Sequence, residues 1–277
     1  MIFSFPNIDP VLLQIGPLAI RWYSLAYVFG LLLGWRYMRT LIRSSSDIAR
    51  DVDIDDFLTW ATFGVILGGR LGYVLFYKPE FYLANPVAIL QVWKGGMSFH
   101  GGLIGVALAT VWFTRRRSIE LIRFADILAC AAPIGLFFGR LANFINGELF
   151  GRVSDVPWAI IFPGGGPEPR HPSQIYEAIF EGLVLFVLLR LLWRHEAIRQ
   201  RPGVLTGVFL VGYMLARSFV EMFRQPDAYI GFLVAGTTMG QWLSVPMAAF
   251  GLYLIMRPNG RIKSDKSSAN NTNAGRF

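Results

Sequence analysis

The stretch that decides the fold runs from Ile127 to Gly151 and reads ILACAAPIGLFFGRLANFINGELFG. Its first half, as far as Phe138, is uncharged and apolar, as a segment inside a lipid bilayer must be. Its second half adds one arginine, two amides and one carboxylate: Arg140, Asn143, Asn146 and Glu148. In hydrocarbon such groups are costly unless they pair, bind a ligand or line a wet cavity. The stretch therefore predicts a membrane-spanning helix that ends in a polar functional site.

The composition places the whole chain in the same class. Its 277 residues are 54% hydrophobic and only 16% charged, too little charge for a soluble domain of this size. We expect an all-α polytopic membrane protein with about seven transmembrane helices, near Trp22–Leu41, Phe57–Tyr77, Met97–Thr114, Phe124–Asn146, Ile175–Trp193, Val204–Phe223 and Met239–Met256. Residues 1–258 would form one transmembrane domain, opened at 1–16 by an interfacial segment or short helix. Residues 259–277, polar and rich in Ser, Asn and Lys, predict a disordered cytoplasmic tail.

The basic residues predict the orientation. Of the 26 Lys and Arg residues, 17 lie in the connections, or at adjoining helix ends, on one side of the predicted bundle and six on the other. The positive-inside rule then puts the N-terminus outside and the C-terminus in the cytoplasm. The net charge of +8 is thus a topology signal, and we expect no nucleic-acid partner. In this orientation the polar groups inside the spans converge on the outer half of the membrane.

Arg140 is the first candidate site residue. A guanidinium stays charged and matches phosphate oxygens with a planar fork, so a phosphate clamp is one interpretation. The alternative is a structural ion pair with Glu148, Glu177 or Glu181, and both roles are compatible. The neighbouring amides, Asn143 and Asn146, suit either glycerol hydroxyls or helix stapling. Arg70, inside the second span, suits either a lipid headgroup or an outward, snorkelling position.

His100 and a charged stripe on the sixth span complete the set. His100 lies between two Gly-Gly pairs at the start of the third span, where a neutral imidazole can act as general base or simply pack. Arg217, Glu221 and Arg224 fall on one helical stripe. Arg217 and Glu221 suit an intrahelical pair, and a gate or second phosphate site is the alternative.

Some chemistries have no signal in the sequence. The single cysteine, Cys130, forms neither an intramolecular disulfide nor a metal cluster, and we expect it to be a buried packing residue. No nucleophile elbow, HExxH motif or glycine-rich nucleotide loop is present. We therefore expect no metal and no cofactor, and no intramembrane proteolysis by these chemistries.

Three motifs in the chain resemble those of one family. They are the segment from Gly139 to Gly151, the segment from Gly95 to Gly102 (GGMSFHGG), and the run from Arg217 through Glu221 to Asp227. Together they are similar to the prolipoprotein diacylglyceryl transferases of bacteria, over about Phe5 to Met256. The resemblance implies an enzyme that moves the diacylglyceryl group of phosphatidylglycerol to the lipobox cysteine of a prolipoprotein, releasing glycerol phosphate.

The resemblance also implies roles for particular residues. His100 would be the base, Arg140 the phosphatidylglycerol binder and Tyr23 a further essential position. The phosphatidylglycerol site would be shaped by Asn143, Asn146, Glu148, Gly151 and Arg70, beside a second cluster of Arg217, Glu221 and Arg224. The implied location is the bacterial cytoplasmic membrane, with the active site in the outer-leaflet half and membrane lipids around it. A transporter or a non-catalytic lipid-binding protein stays open as an alternative from the residues alone.

Overall fold

Helices form most of the computed structural model, which describes residues 3–6, 8–16, 18–45, 47–225 and 239–258. In chain order they are α1 (Trp22–Arg43), α2 (Asp51–Phe76), α3 (Pro79–Ala84), α4 (Phe99–Arg116), α5 (Leu121–Ile145), α6 (Ser173–Glu177), α7 (Leu185–Trp193), α8 (Glu196–Arg199), α9 (Val204–Glu221) and α10 (Met239–Met256). A π-helix, Ala178–Val184, joins α6 to α7, and 3₁₀ turns occupy Pro86–Leu90 and Val92–Lys94. Each of the seven apolar stretches is therefore helical. The predicted tail and Asp227 lie outside the described residues.

Three of the described helices, α2, α5 and α9, are long and apolar enough to cross a membrane. Their lengths are 26, 25 and 18 residues, and a helix rises about 1.5 Å per residue. Large apolar side chains on the helices are exposed, including Phe63, Leu67 and Leu108, as expected for surfaces in contact with lipid. The chain is thus a helical membrane protein.

The described part of the N-terminal segment is extended. Of the two alternatives expected for residues 1–16, an interfacial segment or a short helix, the helix was therefore wrong. Strands β2 (Val11–Ile15) and β3 (Leu18–Arg21) form an antiparallel hairpin. Strand β1 (Phe3–Ser4) pairs in parallel with β4 (Ile160–Ile161), which belongs to the connection between α5 and α6. The hairpin is rich in the β-branched and aliphatic residues that favour strands, and β1 finds its partner about 157 residues away.

The apolar core lies at one end of the bundle. It is built from the last turns of α1, α4 and α7 and the first turns of α2, α5 and α9, with Leu41, Phe57, Phe113, Phe124, Ile127, Cys130, Leu189, Trp193 and Leu205 as members. Cys130 is fully buried there, which confirms its predicted packing role. At the same end Asp126 of α5 accepts hydrogen bonds from the backbone nitrogens of Gly203 and Thr206, both at 2.7 Å. Asp126 thereby caps α9.

The candidate residue Arg140 and the buried ion pairs around it lie at the opposite end of the same helices. Arg140 follows Cys130 by ten residues along α5, which is about 15 Å of helix. Arg217 lies one turn before the end of α9, whose first turn is in the core. Glu177 and Glu181 lie near the start of the continuous helical segment that runs from α6 through the π-helix to the end of α7 at Trp193. The end opposite the core therefore holds the buried arginine–glutamate pairs. The end with the apolar core carries more exposed ion pairs, such as Arg43–Asp51 and Arg117–Asp56.

Glycines hold α2 and α4 in close contact. A Cβ on Gly68 would lie 2.3 Å from the carbonyl oxygen of Gly101 and 2.8 Å from the Cα of Gly105. A Cβ on Gly105 would lie 2.0 Å from the carbonyl oxygen of Gly64. This spacing of small residues allows backbones of neighbouring membrane helices to touch. Gly101, beside His100, is therefore needed for helix packing.

Candidate functional site

Arg140 lies at the centre of a buried ion-pair cluster. It projects from the last turns of α5 toward the junction of α6 and the π-helix, where its Nε is 3.3 Å from Oε2 of Glu177 and its Nη2 is 3.1 Å from Oε2 of Glu181. Both glutamates are fully buried. Two of the three ion-pair partners considered for Arg140, Glu177 and Glu181, are thus present. They offset the free energy that burying an isolated arginine charge would cost.

Two more arginines share the same carboxylates. Nη1 of Arg217 is 2.6 Å from Oε1 of Glu177, and its Nη2 is 2.9 Å from Oε2 of Glu221. The Arg217–Glu221 distance confirms the predicted intrahelical pair. Nη1 of Arg224, just beyond α9, is 3.7 Å from Oε1 of Glu177. Glu177 therefore bridges Arg140, Arg217 and Arg224, which come from two different parts of the chain.

The backbone widens where the two central glutamates lie. The π-helix Ala178–Val184 begins directly after Glu177 and contains Glu181. Single π turns inside helices are frequent at functional sites because they re-aim side chains. Gly182 lets this segment pack closely against α5, since a Cβ there would lie 2.7 Å from Cβ of Phe137. The sequence predicted an uninterrupted helix here, and spacing alone carries no signal for a π turn.

A second unit, which we call the amide–carboxylate unit, lies at the end of α5 and consists of Asn143, Asn146 and Glu148. Nδ2 of Asn143 donates to Oε1 of Glu148 at 2.8 Å, and Nδ2 of Asn146 donates to the same oxygen at 3.3 Å. The turn is closed by the backbone nitrogen of Glu148, which donates to the carbonyl of Asn143 at 3.1 Å. Positive φ angles at Gly147 (66°) and Leu149 (58°) reverse the chain. Both amides thus engage a carboxylate, and the carboxylate itself stays exposed.

Gly151 joins three backbone segments. Its nitrogen donates to the carbonyl of His171 at 2.9 Å, and a Cβ there would lie 2.5 Å from the carbonyl of Phe223 and 2.7 Å from that of His171. Gly151 also forms an antiparallel bridge with Arg224. The glycine is required for this close approach, which brings the amide–carboxylate unit beside the end of α9.

The connection between α5 and α6 is ordered around Arg170. Residue Arg170 forms bridges with Val153 and Ile160, and its Nε donates to the carbonyl of Gly165 at 2.8 Å. Its guanidinium also contacts the side chain of Gln225 and the ring of Phe150. This connection, residues 146–172, is therefore folded, and backbone bridges hold it together.

Tyr23 approaches both units from α1. Its hydroxyl is 3.1 Å from that of Tyr27, and it lies within electrostatic range of Glu148 and Arg140. Tyr213, one turn before Arg217, lies within range of Glu181, Arg217 and Arg140. Sequence reasoning missed Tyr213, although a tyrosine four residues before an intramembrane arginine shares its helix face.

Arg70 is occupied elsewhere. Its guanidinium donates to five backbone carbonyls of the loop between α3 and α4, those of Ala88, Ile89, Gln91, Gly95 and Gly96, at 2.5 to 3.3 Å. The side chain is 4% exposed, and its guanidinium lies over the ring of Tyr82 at 5.1 Å. The expectation of a snorkelling position was wrong, because the loop folds over the side chain. This geometry favours a structural role over a headgroup site.

His100 begins α4 at the same end of the bundle. The helix is capped by Ser98, whose Oγ accepts from the nitrogen of Gly101 at 3.2 Å. The imidazole is exposed and packs edge-on against the ring of Phe99 at 5.7 Å. Within the described part of the chain it has no hydrogen bond or ion pair. The structure thus leaves the imidazole open on the charged side of the bundle and shows no contact between it and Arg140.

His171 packs locally in the loop. Its Nδ1 is 3.1 Å from the hydroxyl of Tyr176, which accepts a hydrogen bond from Nε1 of Trp158 at 2.5 Å. Burial lowers the pKa of His171 below its usual value of 6.5, because desolvation disfavours the imidazolium. These contacts give His171 a role in the local structure of the loop.

A helical membrane protein whose bundle holds a buried, compensated cluster of arginines and glutamates at one end is suited to chemistry on an anionic lipid headgroup. The chain matches the model of the family described as prolipoprotein diacylglyceryl transferase over residues 10–257. It is 60% identical over 253 residues to the phosphatidylglycerol–prolipoprotein diacylglyceryl transferase of Paramagnetospirillum magneticum, covering 91% of this chain and 94% of the relative. The enzymes of the same name from Rhodospirillum rubrum (60% over 260 residues; 92% and 95%) and Azospirillum brasilense (57% over 260 residues; 93% and 97%) are similarly close.

The chain therefore belongs to the prolipoprotein diacylglyceryl transferase family. This confirms the resemblance on which the sequence interpretation rested.

Proposed function

We propose that the charged end of the bundle is the active site at which the diacylglyceryl group of phosphatidylglycerol passes to the thiol of a prolipoprotein lipobox cysteine. Membership of the family makes the chain a transferase of the first step of lipoprotein lipidation. The proposal concerns where in the molecule, and with which residues, the reaction takes place.

The reaction determines what the site must supply. The substrate sulfur forms a bond to the glycerol carbon that carries the phosphodiester, the C–O bond to phosphate breaks, and its electron pair leaves on glycerol phosphate. The thiol proton must be removed, because a free thiol is mostly protonated at neutral pH. Developing charge on the phosphate must be stabilised by preorganised donors. The nucleophile belongs to the prolipoprotein, so the buried Cys130 takes no part.

One observation supports the assignment above all others, namely the position of Arg140 between two units. On one side it is oriented by Glu177 and Glu181; on the other, the amide–carboxylate unit follows on the same helix. Carboxylates that hold a guanidinium in one geometry preorganise it for phosphate at little further entropic cost. We assign Arg140 to the phosphate, with Asn143, Asn146 and Glu148 on the glycerol headgroup.

The remaining candidates receive roles by position. His100 is the proposed base, because its imidazole is exposed at the same end and has no hydrogen-bond partner among the described residues. Tyr23, in electrostatic range of both Arg140 and Glu148, contributes a hydroxyl between the two units. Arg217, Glu221 and Arg224 form the second cluster, which orients Glu177 and so supports Arg140. Gly151 holds the two units together, and Arg70 stabilises the loop before α4.

We also propose how the helices are arranged in the membrane. Seven helices would cross the cytoplasmic membrane of a bacterium, with the N-terminus outside and the C-terminus in the cytoplasm, as the distribution of basic residues favours. The charged end then lies in the outer-leaflet half, where phosphatidylglycerol and a lipobox-containing signal peptide would enter among the membrane lipids.

The test uses purified protein in detergent, phosphatidylglycerol and a lipobox peptide, with mass spectrometry of the peptide adduct. We expect a diacylglyceryl thioether with the wild type and its loss in Arg140→Ala and His100→Gln. Arg36→Ala, an exposed arginine at the apolar end of α1, is the matched control and should retain the adduct. Wild-type yields in Arg140→Ala would show that the active site lies elsewhere.

A further inference from the structure

Gln174 is fully buried at the start of α6, between the two units of the site. Its Nε2 donates to the carbonyl oxygen of Glu148 at 2.6 Å. The adjacent Ser173, also fully buried, donates from Oγ to the carbonyl of Leu149 at 3.0 Å. Two consecutive side chains of α6 therefore hold two consecutive carbonyls of the turn that carries the Glu148 carboxylate.

This turn needs external support. Leu149 has a φ of 58°, a left-handed conformation that a side-chain-bearing residue adopts at a cost. Such strain persists only where surrounding contacts determine it, and it is concentrated at functional sites. The hydrogen bonds from Ser173 and Gln174 are two of these contacts, because each satisfies a carbonyl that the turn directs into the protein interior.

The Gln174 amide makes an incomplete set of hydrogen bonds. Its Oε1 is buried and accepts no hydrogen bond from the described residues. A buried amide with an unsatisfied acceptor lowers the stability of the folded protein, and an apolar side chain of the same shape would avoid that cost. A glutamine at this position is therefore explained by its amide donor, which among the described residues hydrogen-bonds to the backbone carbonyl of Glu148.

We propose that Gln174, assisted by Ser173, is a positioning residue for diacylglyceryl transfer that acts through the Glu148 carboxylate. By fixing the carbonyls of Glu148 and Leu149, the pair sets the angle at which Glu148 meets Asn143 and Asn146. The next turn of the same helix ends at Glu177, which binds Arg140. One short helix thus sets the position of the headgroup unit and of the phosphate-binding arginine together. This inference rests on the proposed function of Glu148.

A double-mutant cycle tests the inference. Gln174→Met keeps the side-chain volume and removes the donor, and Glu148→Gln removes the charge that the donor is proposed to position. We expect Gln174→Met to lower kcat/KM for phosphatidylglycerol about tenfold, which corresponds to about 1.4 kcal/mol, the loss of one buried hydrogen bond. In the Glu148→Gln background the same change should lower kcat/KM less than about twofold, because coupled residues are not additive. Gln200→Ala, an exposed amide at the far end of the bundle, is the control.

The outcomes separate the positioning role of Gln174 from the proposed role of Glu148. Equal fold-losses in both backgrounds, or a wild-type kcat/KM in Gln174→Met, overturn the positioning role while leaving the active site in place. A wild-type kcat/KM in Glu148→Gln overturns the proposed role of Glu148 and the inference with it.

A second variant applies if Gln174→Met does not fold. Gln174→Glu has no donor when ionised and one when protonated, so its kcat/KM relative to wild type should rise as the pH falls. A ratio that does not change with pH would contradict the inference. Ser173→Thr, which retains a hydroxyl, should recover activity that Ser173→Ala loses.

Discussion

Nη1 of Arg217 lies 2.6 Å from Oε1 of Glu177, across 40 residues of sequence and between two helices. The same carboxylate also faces Arg140 and Arg224. The three guanidiniums around this fully buried glutamate repel one another, and the negative charge of the Glu177 carboxylate offsets that repulsion. The relationship makes Glu177 the point through which the second cluster determines the geometry of the first.

Glu177→Gln should therefore abolish most of the transfer activity and lower the melting temperature. Removing one partner of a buried ion pair costs roughly 3–5 kcal/mol, and we expect the lower end because Glu181 and Glu221 remain. The measurements are thermal unfolding in detergent and adduct yield. Glu120→Gln, an exposed carboxylate before α5, is the control. Wild-type behaviour of Glu177→Gln would contradict the bridging role.

Gly68→Ala should separate α2 from α4. The new Cβ would meet the Gly101 carbonyl at 2.3 Å, where backbone must move, and overpacking of this kind costs roughly 1–3 kcal/mol. Gly34→Ala in α1 is the control, because a Cβ there meets nothing within 4 Å and should stabilise the helix slightly. Thermal unfolding should give a lower melting temperature for Gly68→Ala than for Gly34→Ala, because only the first substitution disturbs helix packing. Equal melting temperatures would show that the helix contact tolerates a methyl group.

Arg70→Lys distinguishes a structural arginine from a lipid-binding one. A lysine has a single nitrogen and cannot donate to five carbonyls, so residues 86–96 should lose protection in amide hydrogen exchange. We expect the KM for phosphatidylglycerol to change little in the fraction that stays folded. Arg115→Lys, exposed at the other end of α4, controls for the loss of a guanidinium. Unchanged exchange with a raised KM would favour the headgroup role instead.

Asp126→Ala should destabilise the protein without changing the chemistry of the site. The carboxylate accepts from two backbone nitrogens of the first turn of α9 and from the Thr206 hydroxyl, and loss of such a cap costs roughly 0.5–2 kcal/mol. The melting temperature should fall, while kcat/KM of the folded protein at low temperature stays near wild type. Glu80→Ala, an exposed carboxylate on α3, is the control. A site-specific loss of kcat would contradict the separation of the two ends.

His171 should make stability depend on pH. Because its folded-state pKa is lowered from 6.5, the unfolded chain binds a proton more readily than the folded one. The contribution of the neutral imidazole is fully present above the unfolded pKa and is lost as the pH falls through 6.5 toward the lower folded value. His171→Gln should reduce the fall in melting temperature between pH 7.5 and 5.5, two values about one unit either side of that pKa. An identical fall in both proteins would exclude His171 as its source.

The helices and their polar ends could be predicted from local sequence. Long apolar runs have few alternatives to a helix in a membrane, since every backbone group must be satisfied within the segment. Intramembrane charges such as Arg140 and Arg217 are conspicuous in these runs for the same reason, and the pair Arg217–Glu221 follows from helical spacing. Strand β1 escaped prediction because its partner, β4, lies far along the chain. The β2–β3 hairpin is local and was missed although its residues favour strands.

The sequence by itself thus determined the class of protein, the helical stretches and the intrahelical pair Arg217–Glu221, because hydropathy and helical spacing act over a few turns. Only the tertiary structure decided which partners the polar groups have. Arg70 binds a loop, Gly101 packs against α2, and Gln174 holds the turn of Glu148. Each of these contacts joins groups from separate segments, and their energies depend on distances of a few tenths of an ångström that the packing of the helices sets.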